Sequence, residues 1–141
     1  AREDAGEFQL AYFGDVLDAY ITLQEALASD DRDSAEKAYA GLENAARKAN
    51  MSAVLERARE GKAAESIEQQ RIVFQPISNT LIAAVREHGN PTDRALRLTH
   101  CPMAFDFDGA DWLQTRDEVF NPYFGDEMLK CGVINEEFDP E

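Results

Sequence analysis

Residues 8–27, with the sequence FQLAYFGDVLDAYITLQEAL, decide the fold because their apolar side chains recur at steps of three and four residues. This spacing places the apolar side chains along one face of an α-helix. The stripe consists of Phe8, Tyr12, Val16, Ala19, Tyr20, Leu23 and Leu27. The stretch therefore predicts the first helix of a mainly α-helical fold.

Two further helices are predicted after an acidic break that follows this stretch. Asp33 is expected to cap the second helix, with Glu36 three residues later in an arrangement that resembles a capping box. Asn50 is expected to end that helix. Ser52 is expected to cap a short third helix that ends near Gly61.

A longer fourth helix is predicted over residues 63–88, again from an apolar stripe. Pro76 lies inside it and should remove a backbone hydrogen bond and kink the helix. Arg71 lies on or beside the apolar stripe, and we expect it to snorkel or to pair with a buried acid. The sequence Gly-Asn-Pro at residues 89–91 is a strong terminator.

The tail differs from the helical part because it holds both cysteines, the single tryptophan and three of the five prolines. Alternation over residues 95–98 indicates a short strand, and turn signals follow at Gly109, Asn121, Pro122 and Gly125. The predicted fold is an antiparallel bundle of about four helices, residues 5–89, with an irregular tail, residues 92–141, packed on it. No linker separates the two, so residues 1–141 are predicted to form one domain.

The composition excludes several classes of function. The chain has 28 acidic and 14 basic residues, a net charge of −14, which repels nucleic-acid phosphates and anionic membrane surfaces. No apolar run approaches the roughly 20 residues that a membrane-spanning helix needs, so no membrane insertion is expected. No nucleophile elbow, phosphate-binding loop or zinc-protease motif occurs, and we predict that the protein is not an enzyme.

Two short motifs in the tail carry sulfur. Cys101 and Met103 would share one face of an extended segment, and Met128 and Cys131 would share one face of a helical turn. If the two segments pack together, four sulfur donors converge, with His100 beside them. Thiolate, thioether and imidazole ligands suit soft or borderline metals such as Cu(I) and Zn(II).

The same residues allow other interpretations. Cys101 and Cys131 could form a disulfide that closes the tail, which in the chain-entropy picture would stabilise the fold by roughly 3–4 kcal/mol. Met103 and Met128 could fill gaps in the core. Both motifs are weaker metal signals than a pair of C-x-x-C motifs.

The chain resembles a known bacterial family in several segments. These are HCPMA at residues 100–104, GADWL at 109–113, NPYFG at 121–125, MLKCG at 128–132, and QRIVF at 70–74 followed by Ile77 and Ser78. The family is a domain of unknown function. It is appended to the C-terminus of Cus-type heavy-metal efflux membrane-fusion proteins and also occurs alone in secreted or periplasmic proteins.

This resemblance implies a helical-bundle domain outside the cytoplasm that handles copper or a related metal. The family's suspected ligands fall on Cys101, Met103, Met128 and Cys131, with His100 as an additional candidate. The implied cofactor is Cu(I), and the implied partner is a metal-efflux or envelope protein. No membrane-fusion hairpin or barrel is apparent in this sequence, so we do not expect it to act as the efflux adaptor itself.

A periplasmic or secreted location assumes that a signal peptide has been removed, because none is visible at the start of the sequence. Two alternatives to metal binding stay open. One is a non-catalytic interaction module with a Cys101–Cys131 disulfide. The other is a small-molecule sensor with a pocket between the bundle and the aromatic tail.

Overall fold

Four α-helices precede a three-stranded antiparallel sheet in the computed structural model, which describes residues 7–141. The helices are α1 (Phe13–Ala28), α2 (Arg32–Ala49), α3 (Ser52–Ala63) and α4 (Ile67–His88), and the strands are β1 (Leu96–Cys101), β2 (Ala110–Gln114) and β3 (Val133–Phe138). Short 3₁₀ helices span Leu10–Tyr12 and Gly125–Met128. The prediction of a mainly helical fold with four packed helices is confirmed; the predicted start of the bundle at residue 5 lies outside the described residues.

Most residues of the apolar stripes found in the sequence lie in one hydrophobic core that also includes the sheet. The first stripe is wrong at its start, because α1 begins at Phe13, after Phe8 and Tyr12, and Tyr12 is 42% exposed. Each helix packs against the next along the chain. The largest fully buried side chains come from helices α1, α2 and α4 and from strands β1 and β2, and they include Tyr20, Tyr39, Phe74 and Trp112. Aromatic side chains of this size supply much of the apolar area that drives folding. No helix in residues 7–141 is long and apolar enough to span a membrane.

The second helix begins earlier than predicted. Asp31, rather than Asp33, is its N-cap, and its carboxylate accepts a hydrogen bond of 3.0 Å from the backbone N–H of Ser34. Asp33 lies within the first turn, where its negative charge interacts favourably with the positive end of the helix dipole. The predicted stop is confirmed, because Asn50 caps the C-terminus in the left-handed conformation.

The third and fourth helices also differ at their boundaries. Ser52 is the first residue of α3 rather than its cap, and the helix continues to Ala63. The fourth helix begins at Ile67 rather than residue 63, because the hydroxyl of Ser66 accepts a hydrogen bond from the N–H of Gln69. The helix then continues through Pro76 to the predicted terminator.

The tail contains a small sheet where the sequence predicted one short strand. The order is β2-β1-β3, so β1 is central and pairs antiparallel on both sides. It extends to Cys101, beyond the predicted strand. A bulge in the β1–β3 ladder lies beside Leu98 and Thr99.

Buried hydroxyl groups join the sheet to the bundle. Tyr20 of α1 and Ser78 of α4 share a hydrogen bond of 2.7 Å, and the backbone N–H of Leu113 in β2 donates to the Tyr20 oxygen. The hydroxyl of Tyr123 donates to the carbonyl of Asp111 at 2.8 Å. These bonds satisfy polar groups that would be costly to bury unpaired, and they fix the sheet against α1 and α4.

Arg71 attaches the long loop between β2 and β3 to the bundle. It donates hydrogen bonds to the carbonyl oxygens of Pro122 and Leu27 and to the carboxylate of Asp30. Asp30 also accepts from the backbone N–H of Asp126. The prediction that Arg71 pairs with an acid is confirmed, although the Asp30 side chain is 36% exposed rather than buried.

Candidate functional site

The two cysteines meet at one end of the sheet. Their Sγ atoms lie 3.3 Å apart although 30 positions separate them along the chain. Cys101 is the last residue of β1, and Cys131 lies shortly before the first residue of β3. The last residue pair of the β1–β3 ladder is His100 with Val133, so both cysteines lie just beyond the end of this ladder. A disulfide bond would be about 2.05 Å long, and both side chains are free thiols here.

Local hydrogen bonds hold Cys131 in a turn. Its N–H donates to the carbonyl of Met128 at 3.1 Å, which matches the predicted turn with the two residues three apart. The side chain of Asn121 donates to its carbonyl oxygen at 2.8 Å. Gly132 follows with φ 142°, and a Cβ there would lie 2.9 Å from the carbonyl oxygen of His100. Only glycine lets the chain approach β1 this closely.

The environment of Cys131 favours the protonated thiol. Partial burial raises its pKa, and the neighbouring Cys101 sulfur raises it further. A hydrogen bond from the backbone N–H of Met103 acts in the opposite direction. A bound cation would reverse this balance, because a metal that coordinates a thiol displaces its proton.

The two methionines flank this pair. The main chain of each is hydrogen-bonded to Cys131, through the Met128 carbonyl and the Met103 N–H. Their side chains line one open groove together with Phe105, Asp106, Phe107 and Phe124. The structure therefore brings the two cysteines and the main chains of Met103 and Met128 to the same end of the sheet, whereas the methionine side chains line a groove whose lining includes neither cysteine. Met103 reaches this end of the sheet from a turn, since β1 ends at Cys101 and does not include it as an extended residue.

His100 does not join the cysteine pair. Successive strand residues project from opposite faces, and Cys101 is fully buried whereas the His100 side chain is 40% exposed. The imidazole Nδ1 lies 2.6 Å from the Asp111 carboxylate on β2, and the ring rests against Gly109. Within residues 7–141, no group of three or more His, Cys, Asp or Glu side chains is placed to hold a metal ion. Coordination beyond two ligands would therefore have to involve methionine or another donor.

A left-handed turn at residues 105–107 borders the groove. Phe105, Asp106 and Phe107 all have positive φ, at 54°, 57° and 70°. This conformation costs about 1–2 kcal/mol for each residue other than glycine. Phe105 packs edge-on against Tyr123 with ring centroids 5.4 Å apart, whereas Phe107 is 73% exposed. Phenylalanine does not favour a left-handed backbone, so neither Phe105 nor Phe107 signals this turn in the sequence.

A second open groove lies between the end of α4 and strand β3. Its lining contains one aromatic residue, Phe138, and many charged side chains: Arg86, Glu87, Glu136, Glu137, Asp139 and Glu141. Pockets for small molecules are usually mostly apolar. The charged lining of this groove therefore gives little support to a small-molecule sensor, which stays a prediction.

Comparison with known protein families matched residues 16–93 to the family described as "Protein of unknown function (DUF3347)". The match covers more than half of the chain. The chain belongs to the DUF3347 family. This confirms the expectation of a domain of unknown function. The DUF3347 match covers most of the helical part and ends before β1, so both cysteines lie outside it. No curated protein and no solved structure matched the chain.

Proposed function

We propose that this protein is a non-catalytic metal-binding domain that holds Cu(I), or a related soft metal, through Cys101 and Cys131. The observation that carries the proposal is the 3.3 Å contact between two sulfur atoms from distant parts of the chain. Met103 and Met128, whose main chains are hydrogen-bonded to Cys131, carry thioether sulfur, which suits Cu(I). His100 is a further candidate only if its side chain leaves Asp111.

The separation of the sulfur atoms fits a metal after a small movement. Two thiolates bound to one Zn²⁺ ion at about 2.3 Å in tetrahedral geometry lie about 3.8 Å apart, roughly half an ångström more than in this structure. Cys131 lies in a turn outside the strands, where such a shift disturbs no ladder hydrogen bond. Because the pKa of Cys131 is raised, a metal has to displace a proton, and apparent affinity should increase with pH.

The cellular setting in this proposal is the cell envelope, outside the cytoplasm, with a metal-efflux or other envelope protein as partner. Its support is the resemblance of the tail motifs to the domain appended to Cus-type membrane-fusion proteins. The net charge of −14 agrees with a role that does not involve nucleic acid.

Titration of the reduced protein with Cu(I) without oxygen tests the proposal. We expect thiolate-to-copper absorbance to saturate at one equivalent, and competition with a chromogenic Cu(I) chelator gives the affinity. The double variant Cys101→Ser/Cys131→Ser should lose binding, and Met103→Leu and Met128→Leu should weaken it. His100→Ala reports whether the imidazole contributes. Absence of binding, or unchanged affinity in the double variant, would refute the proposal.

The close thiol contact also favours a second candidate, a structural interaction module in which Cys101 and Cys131 form a disulfide. A count of free thiols on protein purified without reductant separates the two candidates. Two free thiols per chain exclude the structural disulfide. No free thiols, together with no Cu(I) binding after reduction, would favour it.

A further inference from the structure

The two thiols differ in their access to solvent. Cys101 is fully buried at the end of the central strand, whereas Cys131 is partly exposed in a turn. Only Cys131 can therefore meet a bulky reagent from solvent. Cys101 can reach one partner readily, the Cys131 sulfur at 3.3 Å. An accessible thiol with a second thiol in contact permits stepwise disulfide exchange, and the burial of Cys101 assigns the first attack to Cys131.

We propose that Cys101 and Cys131 form a redox modification site for a low-molecular-weight disulfide such as glutathione disulfide, with Cys131 as the entry thiol and Cys101 as the resolving thiol. This inference goes beyond metal binding, because the reaction needs no metal. Its product is a reversible internal disulfide rather than a permanent structural one.

The reaction proceeds in two balanced steps. Cys131 first loses its proton, and its thiolate attacks one sulfur of the glutathione disulfide to form a mixed disulfide. The other glutathione leaves as a thiolate and takes up a proton. Cys101 then loses its proton, and its thiolate attacks the Cys131 sulfur. The internal disulfide forms and the second glutathione leaves and takes up a proton. The protein loses two electrons and two protons, and one glutathione disulfide is reduced to two glutathione molecules.

The local structure favours the second step. The sulfur atoms must approach by just over 1 Å, from 3.3 Å to a bond of about 2.05 Å. Cys131 follows the 3₁₀ helix and precedes β3, so it can move without breaking the sheet. A mixed disulfide at Cys131 is therefore expected to be short-lived as long as Cys101 is present.

Two matched variants test the assignment of roles, with intact mass followed over time in millimolar glutathione disulfide. Cys101→Ala should accumulate one glutathione on Cys131, because nothing resolves the adduct. Cys131→Ala should react at least tenfold more slowly, because the remaining thiol is buried. The wild-type protein should lose two hydrogens without accumulating an adduct, and reductant should restore both thiols.

Circular dichroism and thermal unfolding establish that each variant is folded before its rate is compared. Cys101→Ser serves as a second variant if alanine destabilises the core, and it makes the same prediction of an adduct on Cys131. Equal rates in folded Cys101→Ala and Cys131→Ala would overturn the assignment. A wild-type protein that keeps both thiols free, or that keeps a stable adduct on Cys131, would overturn the internal disulfide. None of these results depends on whether copper binds.

Discussion

Replacing Arg71 with alanine should destabilise the protein through the loop that it attaches to the bundle. Two of its hydrogen bonds, at 2.8 Å and 2.7 Å, reach the main-chain carbonyls of Pro122 and Leu27, and its side chain is 12% exposed. Hydrogen bonds that involve a charged group contribute about 1.5–3 kcal/mol each. The ion pair between Arg71 and Asp30, whose side chain is 36% exposed, adds less than about 1 kcal/mol. Since water can replace part of these bonds, we expect a loss of about 2–4 kcal/mol.

Urea unfolding at neutral pH, followed by circular dichroism, measures this loss. The control is Arg57→Ala, because Arg57 pairs with Glu60 at the surface, where the two side chains are 50% and 53% exposed. That change should alter the free energy of unfolding by no more than about 0.5 kcal/mol. Arg71→Lys keeps the charge but not the planar fork of donors, and it should recover less than half of the loss. A cost below about 1 kcal/mol for Arg71→Ala would refute the role of this side chain as the anchor.

Further predictions concern the helical part. The pKa of Glu43 lies below the usual glutamate range, chiefly because Lys62 hydrogen-bonds to its carboxylate. The ion pairs of Glu43 therefore stabilise the fold fully above the unfolded-state pKa of this carboxyl, and the stabilisation is lost as pH falls through the lower folded-state pKa. The free energy of unfolding should therefore decrease less steeply with acid in Glu43→Gln than in the wild type. In Gly61→Ala the new Cβ would collide with the ring of Tyr39, and we expect thermal unfolding to report a loss of about 1–3 kcal/mol. Gly41→Ala is the matched change, because nothing lies within 4 Å of a Cβ there, and the same measurement should show a gain of up to about 1 kcal/mol.

The helices were predictable because their apolar periodicity spans several turns. The boundaries of the helices were less predictable, because more than one neighbouring residue is of a type that can act as the cap. Asp31 and Asp33 both qualify by residue type, and the structure selects Asp31 because its carboxylate reaches Ser34. The start of α4 depends in the same way on one hydrogen bond, from the Gln69 N–H to Ser66. Such choices depend on local geometry that residue type alone does not determine.

Two strands were missed for different reasons. Strand β3 has the sequence VINEEF, with little apolar alternation and mostly exposed side chains, so only its pairing with β1 identifies it. Strand β2 directly follows Gly109, where the sequence predicts a turn. Its residues are mostly buried because the central strand and the helices cover them. Pairing between segments distant in sequence leaves a weak local signal.

The sequence left open whether Cys101 and Cys131 meet, and the structure places their sulfur atoms 3.3 Å apart. The left-handed backbone beside the groove could not have been predicted from Phe105 and Phe107. The position of His100 could have been predicted, because successive residues of a strand project to opposite faces and the His100 side chain therefore points away from that of Cys101.

The thirty positions between the two cysteines have a consequence for the order of assembly. Closing a loop of that length has an entropic cost that local helix formation does not, so contacts of this kind tend to form late in folding. A newly emerging or partly unfolded chain would present two isolated thiols rather than a pair. Tight capture of a metal ion, or rapid internal oxidation, would then report that the C-terminal sheet has closed, and the sulfur pair would act as an indicator of completed folding.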